Sequence, residues 1–383
     1  MAGETLTMLA VGDNLLYMKK PEVMFALVAP ILKSADIVVG QLETPCTARP
    51  ATTPLWGWGM GTKPPIGYAL KRLDALRSAG FNVIHLAGNK IWDAGAPGIE
   101  DTITGLRNLG IATVGAGMNL DEARTPAVIK RKGTKVGFLS YNCVGPREAW
   151  ANPLKPGCAW IRILTTYELD HPTPGANPTI YTFAELESVK AMSDDIHKLR
   201  PKCDVLVVHF HKGIGMTHIR LATYEQQVSY AAIEAGADLI LAEHAHTLRG
   251  IELYRGKAIF HGLGQFVPFD PDAKPAPASP WLVHRQQKLF MDLFGQELDE
   301  SETWPVAPNS MMTIIAKCIL KNGKISRVGF LPCLINKRGQ PEILKHDARG
   351  QKVFDYMEKI TGAIGLNAKY RWKDDEVIVS CLK

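Results

Sequence analysis

Two short apolar runs in this chain end in paired histidines: Asp204-Val-Leu-Val-Val-His-Phe-His211 and Asp238-Leu-Ile-Leu-Ala-Glu-His-Ala-His246. Four to eight apolar residues bounded by polar ones suit a buried strand, on which residues i and i+2 face the same way, about 6.6 Å apart along the chain. His209 with His211, and His244 with His246, are therefore expected to point together. Two neighbouring strands would bring all four imidazoles to one edge of a sheet. A lone strand-end histidine is usually a satisfied core or surface residue. Two such pairs, each closing an apolar strand, are hard to obtain by accident and predict a metal site.

Three earlier apolar runs deliver further donors. Leu6-Thr-Met-Leu-Ala-Val-Gly-Asp13 ends in Asp13, Asp36-Ile-Val-Val-Gly-Gln-Leu-Glu43 ends in Glu43, and the run from Phe81 carries Asn89 and Lys90 at its end, with Asp93 close behind. The carboxyl ends of strands are where open α/β sheets bind ligands. Carboxylates, imidazoles and one amide make a mixed oxygen and nitrogen set suited to Zn, Mn or Fe, able to bridge two ions roughly 3.5–4 Å apart. One or two divalent ions are the expected cofactor, with Asp13, Glu43, Asn89, His211, His244 and His246 as ligands.

The elements that must position these residues alternate between strand and helix. Helices are expected over Pro21 to Lys33, Pro65 to Ala79 with Gly80 as its stop, Gly98 to Leu109, Phe183 to Leu199 and Thr223 to Ala235. A strand at Ile111 to Val114 and the pair Ala127 to Lys130 and Lys135 to Tyr141, turning at Gly133, continue the pattern. Arg255-Gly256 and Asn322-Gly323 mark antiparallel hairpins, so the sheets are expected to be mixed. The chain divides into one large α/β domain over 1–340, with insertions at about 46–65, 142–180 and 266–310, and a C-terminal extension over 341–383 packed on it. The loop Trp56-Gly-Trp-Gly-Met-Gly-Thr-Lys63 has the character of a lid, and Trp56, Trp58, Lys63 and His261 are candidate substrate contacts.

Composition excludes several classes. Hydrophobic residues at 46% and charged ones at 21% of 383 are ordinary globular values. The net charge of +6 is mild, and no basic stripe interleaved with aromatics suggests nucleic acid. It favours an anionic small-molecule substrate through long-range attraction. The seven cysteines have no Cys-x-x-Cys spacing, which fits reduced thiols. No stretch approaches the ~20 apolar residues of a membrane span, and the first five residues are too short for a signal peptide. A cytoplasmic protein without a membrane partner is expected.

Read in order, Gly12-Asp13, Gln41-Leu-Glu-Thr-Pro45, Leu86-Ala-Gly-Asn-Lys-Ile-Trp-Asp-Ala-Gly95, His211-Lys-Gly213, Ala237 to His246, Ile251 to Ile259 and Gly262-Leu-Gly-Gln-Phe266 resemble the blocks of the capsule-synthesis CapA family. That family is similar to the calcineurin-like metallophosphoesterases, and the resemblance covers roughly residues 6 to 335. It implies a four-layer α-β-β-α sandwich of two mixed sheets. It also implies Glu43 as a bridge between metals, Asn89, His211 and His244 on one ion, and Asp13 with His246 on the other.

Two positions depart from the family pattern. Leu15 stands where the superfamily usually has a histidine, which leaves one metal site weak or empty unless His209 compensates. Lys90 stands where the family has the histidine expected to act as general acid or transition-state contact. A lysine at its ordinary pKa near 10.4 stabilises negative charge but shuttles protons poorly. Burial would lower that pKa and open base or nucleophile chemistry, and a lysine pointing to solvent would do neither. Lys90, Asp93 and His209 are the candidate catalytic residues. The function expected is a metal-dependent hydrolase of a phosphoester, amide or ester, using metal-activated water. The alternatives are an accessory protein of capsule or poly-γ-glutamate synthesis and a metal-dependent lyase or ether-cleaving enzyme using Lys90.

Overall fold

The computed structural model describes residues 5–18, 20–49, 69–168, 179–215, 217, 219–268 and 311–381. Two mixed sheets dominate, one of ten strands and one of six. In the larger, Thr5–Asn14, Ile37–Leu42, Val83–His85 and Ala112–Val114 lie side by side in parallel, while Met312–Lys321 pairs antiparallel to Thr5–Asn14. In the smaller, Thr134–Asn142, Val205–Lys212, Leu239–His244 and Lys257–Leu263 run parallel. Leu248–Tyr254 and Ala127–Arg131 close its edges antiparallel.

Side-chain alternation assembles the layers. Leu6, Met8 and Ala10 join Val136, Phe138, Val205, Val207, Leu239 and Leu241 in one buried cluster between the sheets. The intervening Leu9 and Val11 pack outward with residues of Pro21–Phe25, Asp74–Ala79 and Gly95–Asn108. Leu206, Val208 and Phe210 face the opposite way, against Leu186–Leu199 and Thr223–Ala235. A period of two on strands with apolar residues on both faces gives this result: helix, sheet, sheet, helix. The layer order agrees with the four-layer sandwich that the resemblance implied.

Several local expectations are corrected. The single helix over Pro21 to Lys33 is a 3-10 turn, Pro21–Phe25, followed by a separate helix, Ala29–Ser34. Pro30 lies in that helix's first turn, where a missing N–H is harmless, and could not sit inside a longer one. The stretch 142–180 is not wholly irregular, because Ile163–Glu168 pairs antiparallel with Thr179–Ala184. The helix expected from Phe183 starts at Leu186 for the same reason. Gly80 does close its helix, at φ +101°. The turns Arg255-Gly256 and Asn322-Gly323 have positive φ at both residues and link antiparallel strands. Glu376–Cys381 pairs antiparallel to Lys324–Ile335, and Ala368–Lys373 to Glu376–Cys381, so the C-terminal segment extends the larger sheet. All seven cysteines are free.

Candidate metal centre

The strand ends of both sheets meet at one mouth. On Ile37–Leu42, Ile37 and Val39 face the gap between the sheets, so Gln41 and Glu43 continue the same face. Asp13 has the wrong parity, since Leu9 and Val11 point to the helices. A register shift in the pairing of Thr5–Asn14 with Ile37–Leu42, between Ala10 and Asp13, re-aims it. The chain passes so close here that a Cβ on Gly12 would lie 1.8 Å from the carbonyl oxygen of Gly264.

The histidines reach the mouth differently from expectation. His209 and His211 share the inner face of Val205–Lys212. On Leu239–His244 the inner positions are Leu239 and Leu241, which makes Glu243 the next inward residue and His244 an outward one. The structure turns His244 back through φ +111° and His246 through φ +56°, conformations that non-glycine residues rarely adopt. His246 therefore lies beyond the strand, and its approach to His244, 6.2 Å between ring centres, is made by a strained turn rather than by alternation. Asn89 and Lys90 likewise sit on a turn after the short strand Val83–His85.

The donors fall into two groups. Asp13 and Glu43 are both wholly buried, and His246 Nδ1 lies 3.1 Å from Asp13 Oδ2 and its Nε2 3.6 Å from Glu43 Oε1. One ligand atom from each of these three lies within 4.8 Å of the others. In the second group, His211 Nε2 is 3.2 Å from Asn89 Oδ1 and 3.1 Å from His244 Nδ1. The backbone N–H of His244 donates to Asp13 Oδ2 at 3.3 Å, tying the groups together. Asp13 Oδ1 and Glu43 Oε2 are buried with no hydrogen-bond partner. A buried carboxylate oxygen without a donor costs several kcal/mol unless a cation is near. The donor set thus fits a divalent ion with oxygen and nitrogen ligands.

Electrostatics sharpen the division. Burial and the charge of Glu43 raise the Asp13 pKa despite His246. Burial would raise Glu43 too, but Lys90 and His246 outweigh it and hold that carboxylate low. Burial and neighbouring histidines keep His211 and His244 neutral, the latter with a pKa of about 3. For His246 burial is outweighed by Glu43 and Asp13, and its pKa rises. Neutral imidazoles are the form that binds metal.

Lys90 Nζ donates to Glu43 Oε1 at 2.5 Å, with 28% of its side chain exposed. Burial would lower its pKa, but Glu43 more than compensates and the ammonium is held above its ordinary range. Lys90 therefore neither points to solvent nor becomes a free amine in this arrangement. Burial pushes Asp93 up to about 7, Lys90 opposing and Glu43 reinforcing the shift.

Two expected site residues are engaged elsewhere. His209 lies deeper between the sheets than His211, stacked on His85 at 4.2 Å, with Nδ1 2.7 Å from Ser140 Oγ and Nε2 against Glu243 Oε1. Both nitrogens are occupied, so it does not replace the donor missing at Leu15, and its catalytic assignment is corrected to a supporting one. His261 is closed off from solvent, with Nδ1 3.1 Å from Lys212 Nζ and Nε2 3.0 Å from Glu252 Oε2. Both of its nitrogens are thus taken up by Lys212 and Glu252 in this structure. Trp56, Trp58 and Lys63 lie outside the described residues.

Sequence reasoning missed Gln41 and Glu243. Gln41 Oε1 lies 3.1 Å from His211 Nδ1, where it accepts the ring N–H and leaves the Nε2 lone pair toward the other donors. Its signal was available, two residues before Glu43 on the same strand face. A Cβ on Gly88 would stand 2.6 Å from Gln41 Nε2 and would displace the amide from this position. Glu243 is a third wholly buried carboxyl, pushed well above the usual range by burial and by the charges of Asp13 and Glu43.

Two facing mixed sheets, helices outside, and a mouth of buried carboxylates, imidazoles and an amide define an α/β sandwich with a candidate metal centre. The chain belongs to the family described as bacterial capsule synthesis protein PGA_cap, whose model matches residues 1–269. Similar relatives include the capsule biosynthesis protein CapA of Bacillus anthracis, 27% identical over 274 residues, 69% of this chain and 60% of that protein. A probable polyglutamine synthesis accessory protein of Mycobacterium tuberculosis is 29% identical over 242 residues, 61% of this chain and 56% of its own length. The chain thus spans somewhat under two thirds of these relatives. Among solved structures, the calcineurin-like phosphoesterase YfkN from Bacillus subtilis is similar with a TM-score of 0.41 and 13% identity, covering 94% of this chain and 98% of that one. No helix among the described residues is long and apolar enough to cross a membrane.

Proposed function

We propose that the chain is a metal-dependent hydrolase of a small anionic substrate, a phosphoester, amide or ester. The observation that carries this reading is the pair of wholly buried carboxylates, Asp13 and Glu43, each with a partnerless oxygen, facing His211, His244, His246 and Asn89. These residues would hold a divalent ion, which when bound would supply Lewis acidity and lower the pKa of a water to about 7. Gln41 orients His211, Glu43 and Asp13 supply the negative charge that retains a cation, and His244 and His246 complete the nitrogen donors. Lys90, fixed on Glu43, offers positive charge where negative charge develops in the transition state. Asp93, neutral up to about pH 7, is the group suited to protonate a leaving group. The lyase and ether-cleaving alternative needs an amine able to lose its proton, and the ion pair with Glu43 opposes that.

The second reading, an accessory role in capsule or poly-γ-glutamate synthesis, is favoured by the family and by the names of its relatives. One experiment separates the two. Metal-loaded protein is assayed against phosphodiester, phosphomonoester and γ-glutamyl amide model compounds, with a chelated control. Chelator-sensitive turnover of any of them supports the hydrolase. Saturating metal occupancy with no turnover of any favours the accessory role, and no metal uptake ends the hydrolase reading.

A further inference from the structure

We propose that Lys90 is the resident cation of the carboxylate half of the site, so that the chain holds a single divalent ion, in the half formed by Asn89, His211 and His244. This rests on the metal-dependent reading above and specifies it.

The two halves differ in what already neutralises them. In the carboxylate half, the Lys90 ammonium lies 2.5 Å from Glu43 Oε1, and the same oxygen is 3.6 Å from His246 Nε2. An ion using that oxygen, at a metal–oxygen bond of about 2.1 Å, would lie within about 4.6 Å of the ammonium. Like charges that close repel strongly in a site screened from water. Two residues beyond Asp13 stands Leu15, buried at 2% exposure and without a ligand atom, so among the described residues the donors converging there are Asp13, Glu43 and His246.

In the other half no ammonium is hydrogen-bonded to a donor among the described residues. Asn89 Oδ1 and His244 Nδ1 lie within 3.2 Å of His211 Nε2, and Gln41 occupies the far nitrogen of His211. Glu43 Oε2 has no hydrogen-bond partner, which leaves a carboxylate oxygen for an ion even while Oε1 holds Lys90. Position 90 thus carries a charge that would otherwise come from a second ion.

The test is stoichiometry rather than turnover. Chelator-stripped full chain is titrated with Mn2+ or Zn2+ by calorimetry and checked by elemental analysis after dialysis. The wild type is expected to retain one tightly held ion. Lys90→Met, which keeps the length and removes the charge, is expected to retain two, and His211→Ala none. Two tight ions in the wild type overturn the proposal, as does one ion in a folded Lys90→Met. An ion kept by His211→Ala overturns the assignment to that half. Should Lys90→Met fail to fold by circular dichroism, Lys90→Gln takes its place. If that also fails, the wild-type and His211→Ala counts decide. No ion in the wild type overturns this proposal together with the metal-dependent reading, a result distinct from the others.

Discussion

Gln41 lays its side-chain amide against His211 across the gap between the two sheets, its Oε1 3.1 Å from Nδ1 and placed to accept the ring N–H. The contact joins positions 170 residues apart and fixes which nitrogen of His211 faces Asn89 and His244. A neutral imidazole presents its lone pair on one nitrogen only, so the partner of the other nitrogen chooses the tautomer.

Gln41→Ala is therefore expected to weaken metal binding about 10- to 100-fold, the usual cost of losing a partner that orients a ligand. Calorimetric titration of stripped protein reads the change. An unaltered affinity would mean that His211 is oriented without Gln41.

Lys90 is held protonated by Glu43, so its contribution is a fixed charge. Lys90→Ala is expected to lose roughly 2–4 kcal/mol of transition-state stabilisation, the scale of one preorganised donor, whereas Lys90→Arg keeps part of the activity. The comparison is made on kcat at one bound ion per chain, with whichever model compound is turned over. Arginine failing as badly as alanine would point to proton loss from Lys90, since a guanidinium does not deprotonate in a protein.

Asp93 sets a pH limb. Its pKa is raised from 3.8 to about 7, so the acid form is present below that value and lost above it. Turnover that relies on Asp93 as proton donor should fall as pH rises through about 7, and Asp93→Asn should abolish that limb along with most of the rate. The linked stability runs the same way. The folded state keeps this proton to higher pH than the unfolded chain, so the stability it contributes declines between about pH 4 and 7. Rate profiles and denaturant midpoints across that window check both signs.

His209 supports the fold rather than the ion. Burial and His85 push its pKa down, and burial with Asp13 and Glu43 pushes that of Glu243 up, so the His209 Nε2–Glu243 contact is a buried hydrogen bond, with Nδ1 paired to Ser140 Oγ. His209→Ala should cost about 1–3 kcal/mol for the stranded carboxyl, with the cavity left by the ring added to it. Thermal melts should register the loss while metal stoichiometry stays the same. A lost ion with unchanged stability would return His209 to the ligand set.

The sequence by itself determined the layers and the neighbourhood of the site. Apolar runs with a period of two specify which residues face which layer, and polar donors closing those runs are carried to the strand ends whatever the loops do. That is why Asp13, Glu43, Asn89, His211, His244 and His246 were legible as one group, whereas the two facing sheets were implied by the resemblance to the CapA family. Alternation assigns directions only inside a regular strand, however, and the site begins where the strands stop. The register shift before Asp13 and the positive φ angles of His244 and His246 depend on contacts made far along the chain, at Gly264, Gln41 and Asp13 itself. Depth was equally hidden. His209 and His211 share a face, yet one strand repeat, about 6.6 Å, leaves His209 inside the core against Glu243 and brings His211 to the mouth. The state of Lys90 was decided last and only in three dimensions, because burial and a neighbouring carboxylate push its pKa in opposite directions, and it is the proximity of Glu43 that settles the sign.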